Sequence, residues 1–110
     1  MVTNRNAHDI QLLLDAFPNV SKYITYYVGS DMVSKMKPDP EGIILSMEHF
    51  SIKNKKRVLY IGDNKSDYLT ARNAGVDVAL VTWGPRKIDT SLAPDYWLDD
   101  FAQLEEIANE

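Results

Sequence analysis

The segment Gly62-Asp63-Asn64-Lys65-Ser66-Asp67 sets two carboxylates close together directly after the apolar run Val58-Leu59-Tyr60-Ile61. Asp63 falls where that run ends, and Asp67 falls in the first turn of the next element. With one acid at a strand tip and the other on a helix start, both can face a single crevice. That arrangement meets a hard divalent cation such as Mg²⁺, which takes one or two carboxylates and completes its shell with water and phosphate oxygens. Alone the segment decides nothing, because Gly-Asp-Asn is also an ordinary turn and Asp67 an ordinary N-cap.

Two further segments carry groups suited to an anion. Met1-Val2-Thr3-Asn4-Arg5-Asn6 leads into a stretch with helical spacing. A hydroxyl and an amide at the mouth of a helix N-terminus suit a phosphate, toward which the first-turn N–H groups and the positive dipole end point. Thr3 would donate its O–H to a phosphoryl oxygen, although simple capping accounts for the same residues. In Lys35-Met36-Lys37-Pro38-Asp39-Pro40, the proline after Lys37 constrains that lysine on a turn before a helix. One ammonium there can neutralise a phosphate and a neighbouring carboxylate. Lys35 can do the same without the constraint, and a solvated surface lysine is the default reading for either.

The elements that must hold these groups are read from apolar spacing. Ile10, Leu13, Leu14 and Phe17 predict a helix over residues 6–17 with a buried stripe, capped by Asn6 and stopped by Pro18. Asp39 as N-cap and Pro40 at the first helical position predict a second helix, with Ile43, Ile44 and Met47 inward. Phe101, Leu104, Ile107 and Ala108 predict a terminal helix from about Asp100 to Asn109. Val58-Leu59-Tyr60-Ile61 and Val78-Ala79-Leu80-Val81 are unalternating and suit strands buried on both faces of a parallel sheet. A short helix over residues 66–74, ended by Gly75 in the left-handed conformation, joins them into a strand–helix–strand unit. Tyr23 to Val28 is a further strand candidate, and Tyr96-Trp97-Leu98 a short edge strand. The alternation is that of an α/β domain.

Composition narrows the setting. At 110 residues the chain is expected to form one domain, 45% apolar and 25% charged, with a net charge of -4 and a pI near 5.1. Nucleic acid is not an expected partner, since the only basic cluster, Lys53 to Arg57, reads as a solvated loop. No apolar run reaches membrane-spanning length, so no membrane partner is expected. The absence of cysteine excludes disulfides and thiolate metal sites and fits a cytoplasmic location.

In this order, each at a strand-to-helix junction, the three segments resemble the haloacid dehalogenase (HAD) phosphatases, in particular the phosphoglycolate-phosphatase-like branch. Val2-Thr3-Asn4 is similar to that family's second motif, Lys37-Pro38-Asp39-Pro40 to its third, and Gly62-Asp63-Asn64-Lys65-Ser66-Asp67 to its fourth. Val81-Thr82-Trp83-Gly84 and Ala93-Pro94-Asp95-Tyr96 extend the likeness across nearly the whole chain. The resemblance implies a Rossmann-like, three-layer α/β core with a parallel sheet. It implies hydrolysis of small phosphorylated metabolites through a phospho-aspartyl intermediate with Mg²⁺. Asp63 would then be a metal ligand and Asp67 a second ligand or a holder of its waters. Thr3 and Asn4 would bind the phosphoryl group, and Lys37 would offset the charge of phosphate and nucleophile.

The family's first motif, Asp-x-Asp with the nucleophile, does not occur in this sequence. The resemblance therefore implies a core truncated at its N-terminus, without the first strand and any cap domain, and a chain inactive by itself. It also implies a bare apolar edge along Val58 to Ile61, which predicts self-association, pairing with another chain, or a rearranged sheet. A non-catalytic phosphate-binding module, or a subunit completed by a second polypeptide, is the competing reading. A receiver-like signalling domain is disfavoured, because it would need an acidic pair after its first strand.

Overall fold

The computed structural model describes residues 1–85 and 87–109, and the chain packs as two compact units, Met1–Lys53 and Asn54–Glu110. Among the described residues no helix is long and apolar enough to cross a membrane.

In the first unit, α1 (Ala7–Ala16) starts at Asn6, whose side chain accepts from Asp9 N at 2.8 Å. The sequence does not advertise its second cap, Asp31, whose two carboxylate oxygens accept from Ala7 N at 3.0 and 3.2 Å. The predicted inward stripe is only partly realised. Ile10 is fully buried and Leu14 half-buried, but Leu13 and Phe17 lie on the surface. A unit of this size has too little interior to cover both rows of the helix.

Pro18 opens the short α2 (Pro18–Ser21). The predicted strand Tyr23 to Val28 is corrected to a single parallel bridge, Val2↔Val28. Tyr23 N and Ile24 N are committed to carbonyls of Val20 and Ser21, so the start of that segment continues the helical turn. Only its end pairs, through Val28 N to Met1 O (2.8 Å), Thr3 N to Val28 O (3.0 Å) and the Met1 amine to Tyr26 O (2.9 Å).

α3 (Glu41–His49) begins one residue later than expected, with Pro40 as its N-cap and Asp39 Oδ1 accepting from Glu41 N at 3.0 Å. Ile43 and Met47 are buried, whereas Ile44 is exposed rather than inward. Gly42 explains how the helix seats so closely, since a Cβ there would stand 2.6 Å from Val2 Cγ1. At its other end His49 stacks on Tyr26, centroids 3.8 Å apart, with Phe50 edge-on to both.

The second unit holds a parallel sheet in the order β1-β2-β3, with β1 at Leu59–Gly62, β2 at Asp77–Val81 and β3 at Tyr96–Leu98. The register runs Leu59↔Asp77 to Gly62↔Leu80, then Ala79↔Tyr96 to Val81↔Leu98. Val78, Ala79 and Leu80 on the middle strand have no exposed surface, as an unalternating apolar run predicts. α4 (Lys65–Ala74) joins β1 to β2 and buries a row of small residues, Thr70, Ala71 and Ala74. Gly75, at φ 75°, ends it in the left-handed conformation, and Val76 N then bonds Ala71 O at 3.1 Å. α5 (Ala102–Ala108) comes after β3, with Leu104 and Ile107 half-buried while Phe101 and Ala108 are exposed.

One charged clamp braces this unit. The Asp95 carboxylate accepts from Val78 N and from Arg72 Nη1, both at 2.9 Å, while Arg72 Nη2 donates to Ala93 O at 2.8 Å. Partial burial of Asp95 pulls its carboxyl upward, but the Val78 N–H and the Arg72 guanidinium outweigh it and hold the group below its ordinary value.

Candidate functional site

The residues singled out in the first unit come together. Asn4 lies just beyond the Val2–Val28 bridge, and its side-chain oxygen accepts from Lys37 N at 3.2 Å. One side-chain bond thus spans 33 residues and sets the Lys37 turn beside the Thr3–Asn4 turn. Thr3, Asn4, Lys35, Lys37 and Asp39 all line a cavity of about 10 Å³, room for a single water. Lys37 is half-buried and Lys35 exposed, so the constrained lysine is also the more enclosed one.

The helix mouth offers fewer free donors than the sequence suggests. Ala7 N and Asp9 N, two donors expected to face an anion, already bond Asp31 and Asn6. Thr3 Oγ1 accepts from Arg5 N at 3.2 Å, which leaves its O–H proton to donate elsewhere. With two first-turn donors spent, the anion expected here would rely on side-chain groups, the Thr3 hydroxyl, the Asn4 amide and Lys37, more than on the α1 N-terminus.

In the second unit the two carboxylates have unlike environments. Asp63, at the carboxyl end of β1, is half-buried, and its carboxylate accepts no protein hydrogen bond among the described residues. Asp67 is 5% exposed, and its Oδ2 accepts from Asp63 N at 3.1 Å. The N-cap of α4 is Asn64, not Asp67, with Asn64 Oδ1 accepting from Asp67 N at 2.9 Å. Asp67 folds back from the first turn onto the strand end, and Gly62 makes this possible, because any Cβ there would overlap the carboxylate. Tyr60, on β1, also hydrogen-bonds Asp67, and burial first, then that negative charge, pushes its phenol well above the usual range.

Asp63 has carboxylate oxygens with no protein hydrogen bond among the described residues, whereas Asp67 is buried and its Oδ2 bonds the backbone of the turn that carries Asp63. No group of three or more His, Cys, Asp or Glu side chains among the described residues is arranged to hold a metal. The donor set fits Mg²⁺ in the limited way that cation commonly uses, one or two carboxylates with water and phosphate oxygens supplying the rest. Sequence reasoning missed Tyr60, read only as part of an apolar strand, and Asn64, read as part of a turn. The Asn-x-x-Asp spacing of a helix N-terminus was the available signal for Asn64.

The model of the haloacid dehalogenase-like hydrolase family matches residues 1–81. A phosphoglycolate phosphatase of Photorhabdus laumondii is 33% identical over 107 residues, covering 94% of this chain and 44% of that protein. A pyrophosphatase of Listeria welshimeri is 33% identical over 88 residues, covering 77% and 40%. The crystal structure of a predicted phosphoglycolate phosphatase from Haemophilus somnus superposes with a TM-score of 0.82 at 29% identity, covering 96% of this chain and 47% of that one. The chain spans less than half the length of each of these relatives.

Proposed function

This chain belongs to the haloacid dehalogenase-like hydrolase family, and from that premise we propose that it is the phosphate- and metal-holding portion of a phosphatase acting on small phosphate esters. The observation that supports the reading is the Asn4–Lys37 bond, which brings the Thr3–Asn4 turn and the Lys37 turn side by side. The contrast between available Asp63 and braced Asp67 supports it. In this reading Thr3 and Asn4 donate to the phosphoryl oxygens, and Lys37 offsets their charge. Asp63 would hold Mg²⁺, which when bound would supply positive charge for a phosphoryl group. Asp67 keeps Asp63 in place. The reaction runs through a phospho-aspartyl intermediate on a carboxylate that this sequence does not contain, so the 110-residue chain by itself is inactive. The relatives' names divide between phosphoglycolate and pyrophosphate, and the substrate class is a small phosphorylated metabolite. A cysteine-free chain is compatible with a cytoplasmic setting.

The test is complementation. The chain with Mg²⁺ and an aryl phosphate should give no turnover above the blank. Adding the Asp-x-Asp-bearing N-terminal part of a related enzyme should restore turnover, which Lys37→Ala or Asp63→Asn removes. Turnover by the chain alone that Asp63→Asn abolishes would overturn the inactivity, and restored turnover indifferent to both substitutions would overturn the roles.

A second reading, a subunit completed by another chain or by a second copy, is favoured by one observation. β1 is the outermost strand of its sheet, and its Ile61 is 43% exposed. Outermost strands with exposed apolar side chains recruit other strands. Light scattering that finds a monomer at all concentrations, with fast amide exchange in Leu59–Gly62, would count against it.

A further inference from the structure

Gly84 stands against Asp63 so closely that a Cβ on it would lie 2.9 Å from Asp63 Cβ and 3.2 Å from Oδ2. Its backbone is not in the left-handed region, which among the described glycines only Gly75 occupies, so conformation does not account for a glycine here. Close approach does. The turn carrying it, Thr82 to Gly84 at the carboxyl end of β2, is pinned at several points. Thr82 N donates to Leu98 O at 2.9 Å, and Thr82 Oγ1 donates to Asp99 Oδ1 at 2.8 Å. The Trp83 ring lies on Phe101 with centroids 4.9 Å apart. Asp99 is fixed in turn, since Asp99 N and Asp100 N both donate to Gln103 Oε1 of α5, at 2.6 and 3.0 Å.

We infer that the Thr82–Gly84 turn is a positioning element for Asp63. The bare backbone of Gly84 walls one side of the carboxylate, and the Thr82–Asp99 bond with the Trp83–Phe101 pair holds that wall in place. A carboxylate confined to one orientation binds a divalent cation without losing rotamer freedom at that moment, the usual effect of outer-shell support. The inference rests on the reading of Asp63 as the cation's ligand.

The test is Mn²⁺ binding by the full chain, monitored through paramagnetic broadening of backbone amides. The parent should show broadening centred on residues 63, 64 and 84, which Asp63→Asn removes. Gly84→Ala should weaken that binding at least about 10-fold, and Thr82→Val, which adds no bulk beside Asp63, about 3-fold. The melting temperature and the amide spectrum away from the turn should stay as in the parent, which a merely structural role would not leave untouched. If Gly84→Ala fails to fold, Thr82→Val decides. Variants that bind within 2-fold of the parent, while Asp63→Asn still abolishes binding, overturn the inference and leave Asp63 as ligand. Broadening that is absent in the parent, or survives Asp63→Asn, overturns the Asp63 reading and the inference with it.

Discussion

Replacing Asp67 by alanine should cost stability out of proportion to its place in a binding motif, and replacing Asp63 should not. Asp67 is 5% exposed, accepts from Asp63 N at 3.1 Å and hydrogen-bonds the Tyr60 phenol. A hydrogen bond to a charged group contributes about 1.5–3 kcal/mol, and a partner left unpaired and shielded from water adds to the loss. Two such bonds sum to about 3–6 kcal/mol, from which the relief of no longer burying a carboxylate must be subtracted. The net expectation for Asp67→Ala is about 2–4 kcal/mol. Asp63→Ala removes a half-buried carboxylate with no protein hydrogen bond among the described residues, and about 0.5 kcal/mol or less is expected. Urea denaturation of parent and variants, monitored by tryptophan fluorescence and far-ultraviolet dichroism together, measures both. If Asp67→Ala costs less than about 1 kcal/mol, or if Asp63→Ala costs as much, the assignment of Asp67 as brace and Asp63 as presenter is wrong.

Two further outcomes are expected from the packing. Leu80 has no exposed surface on the middle strand, so Leu80→Ala should destabilise the second unit by about 2–5 kcal/mol, read as an earlier urea midpoint with an unchanged slope. Asp95 has its folded-state pKa lowered by Val78 N–H and Arg72 against the opposing pull of burial. The folded state therefore binds fewer protons than the unfolded one just below the ordinary carboxylate value of about 4. The Asp95 contribution is fully present above that value and is lost as pH falls through the lower, folded one. Melting between pH 6 and pH 3 should show Asp95→Asn losing less stability than the parent over the acid part of the range, and parallel curves would contradict the clamp.

What the sequence makes legible here is local. The strand–helix–strand unit is written in contiguous signals, and the structure reproduces the buried second run, the helix and Gly75 as its stop, while the first strand starts one residue later, at Leu59, with Ile61 exposed rather than buried. The bond between Asn4 and Lys37 is not anticipated, because no local pattern couples residues 33 apart and the family resemblance implies only that both serve one phosphate. Tyr23 to Val28 misled because propensity for strand needs a neighbouring strand to be realised, and the first of those residues spend their N–H groups on the preceding helical turn. Asp31 as a cap for α1 and Asp95 as a clamp for Arg72 are likewise tertiary, joining residues 24 and 23 apart. Ile44, Leu13 and Phe17 satisfy helical spacing yet stay exposed, since periodicity marks an apolar face but not what covers it. The unlike characters of Asp63 and Asp67 have the same origin. They share a motif, and only the backfolding of one onto the strand end separates them.

The register of the small sheet also bears on how fast the second unit forms. Leu59 pairs with Asp77 and Ala79 with Tyr96, so both ladders close segments of fewer than twenty residues. Parallel pairing usually demands distant chain segments and folds slowly, because loop entropy is lost before the contacts return it. Closure entropy rises only logarithmically with length, and here the intervening chain of the first closure is already shortened by α4. The unit should therefore reach its native strand order quickly during synthesis, within a nascent segment of about forty residues, well before any slower association along the outer edge of β1 can compete.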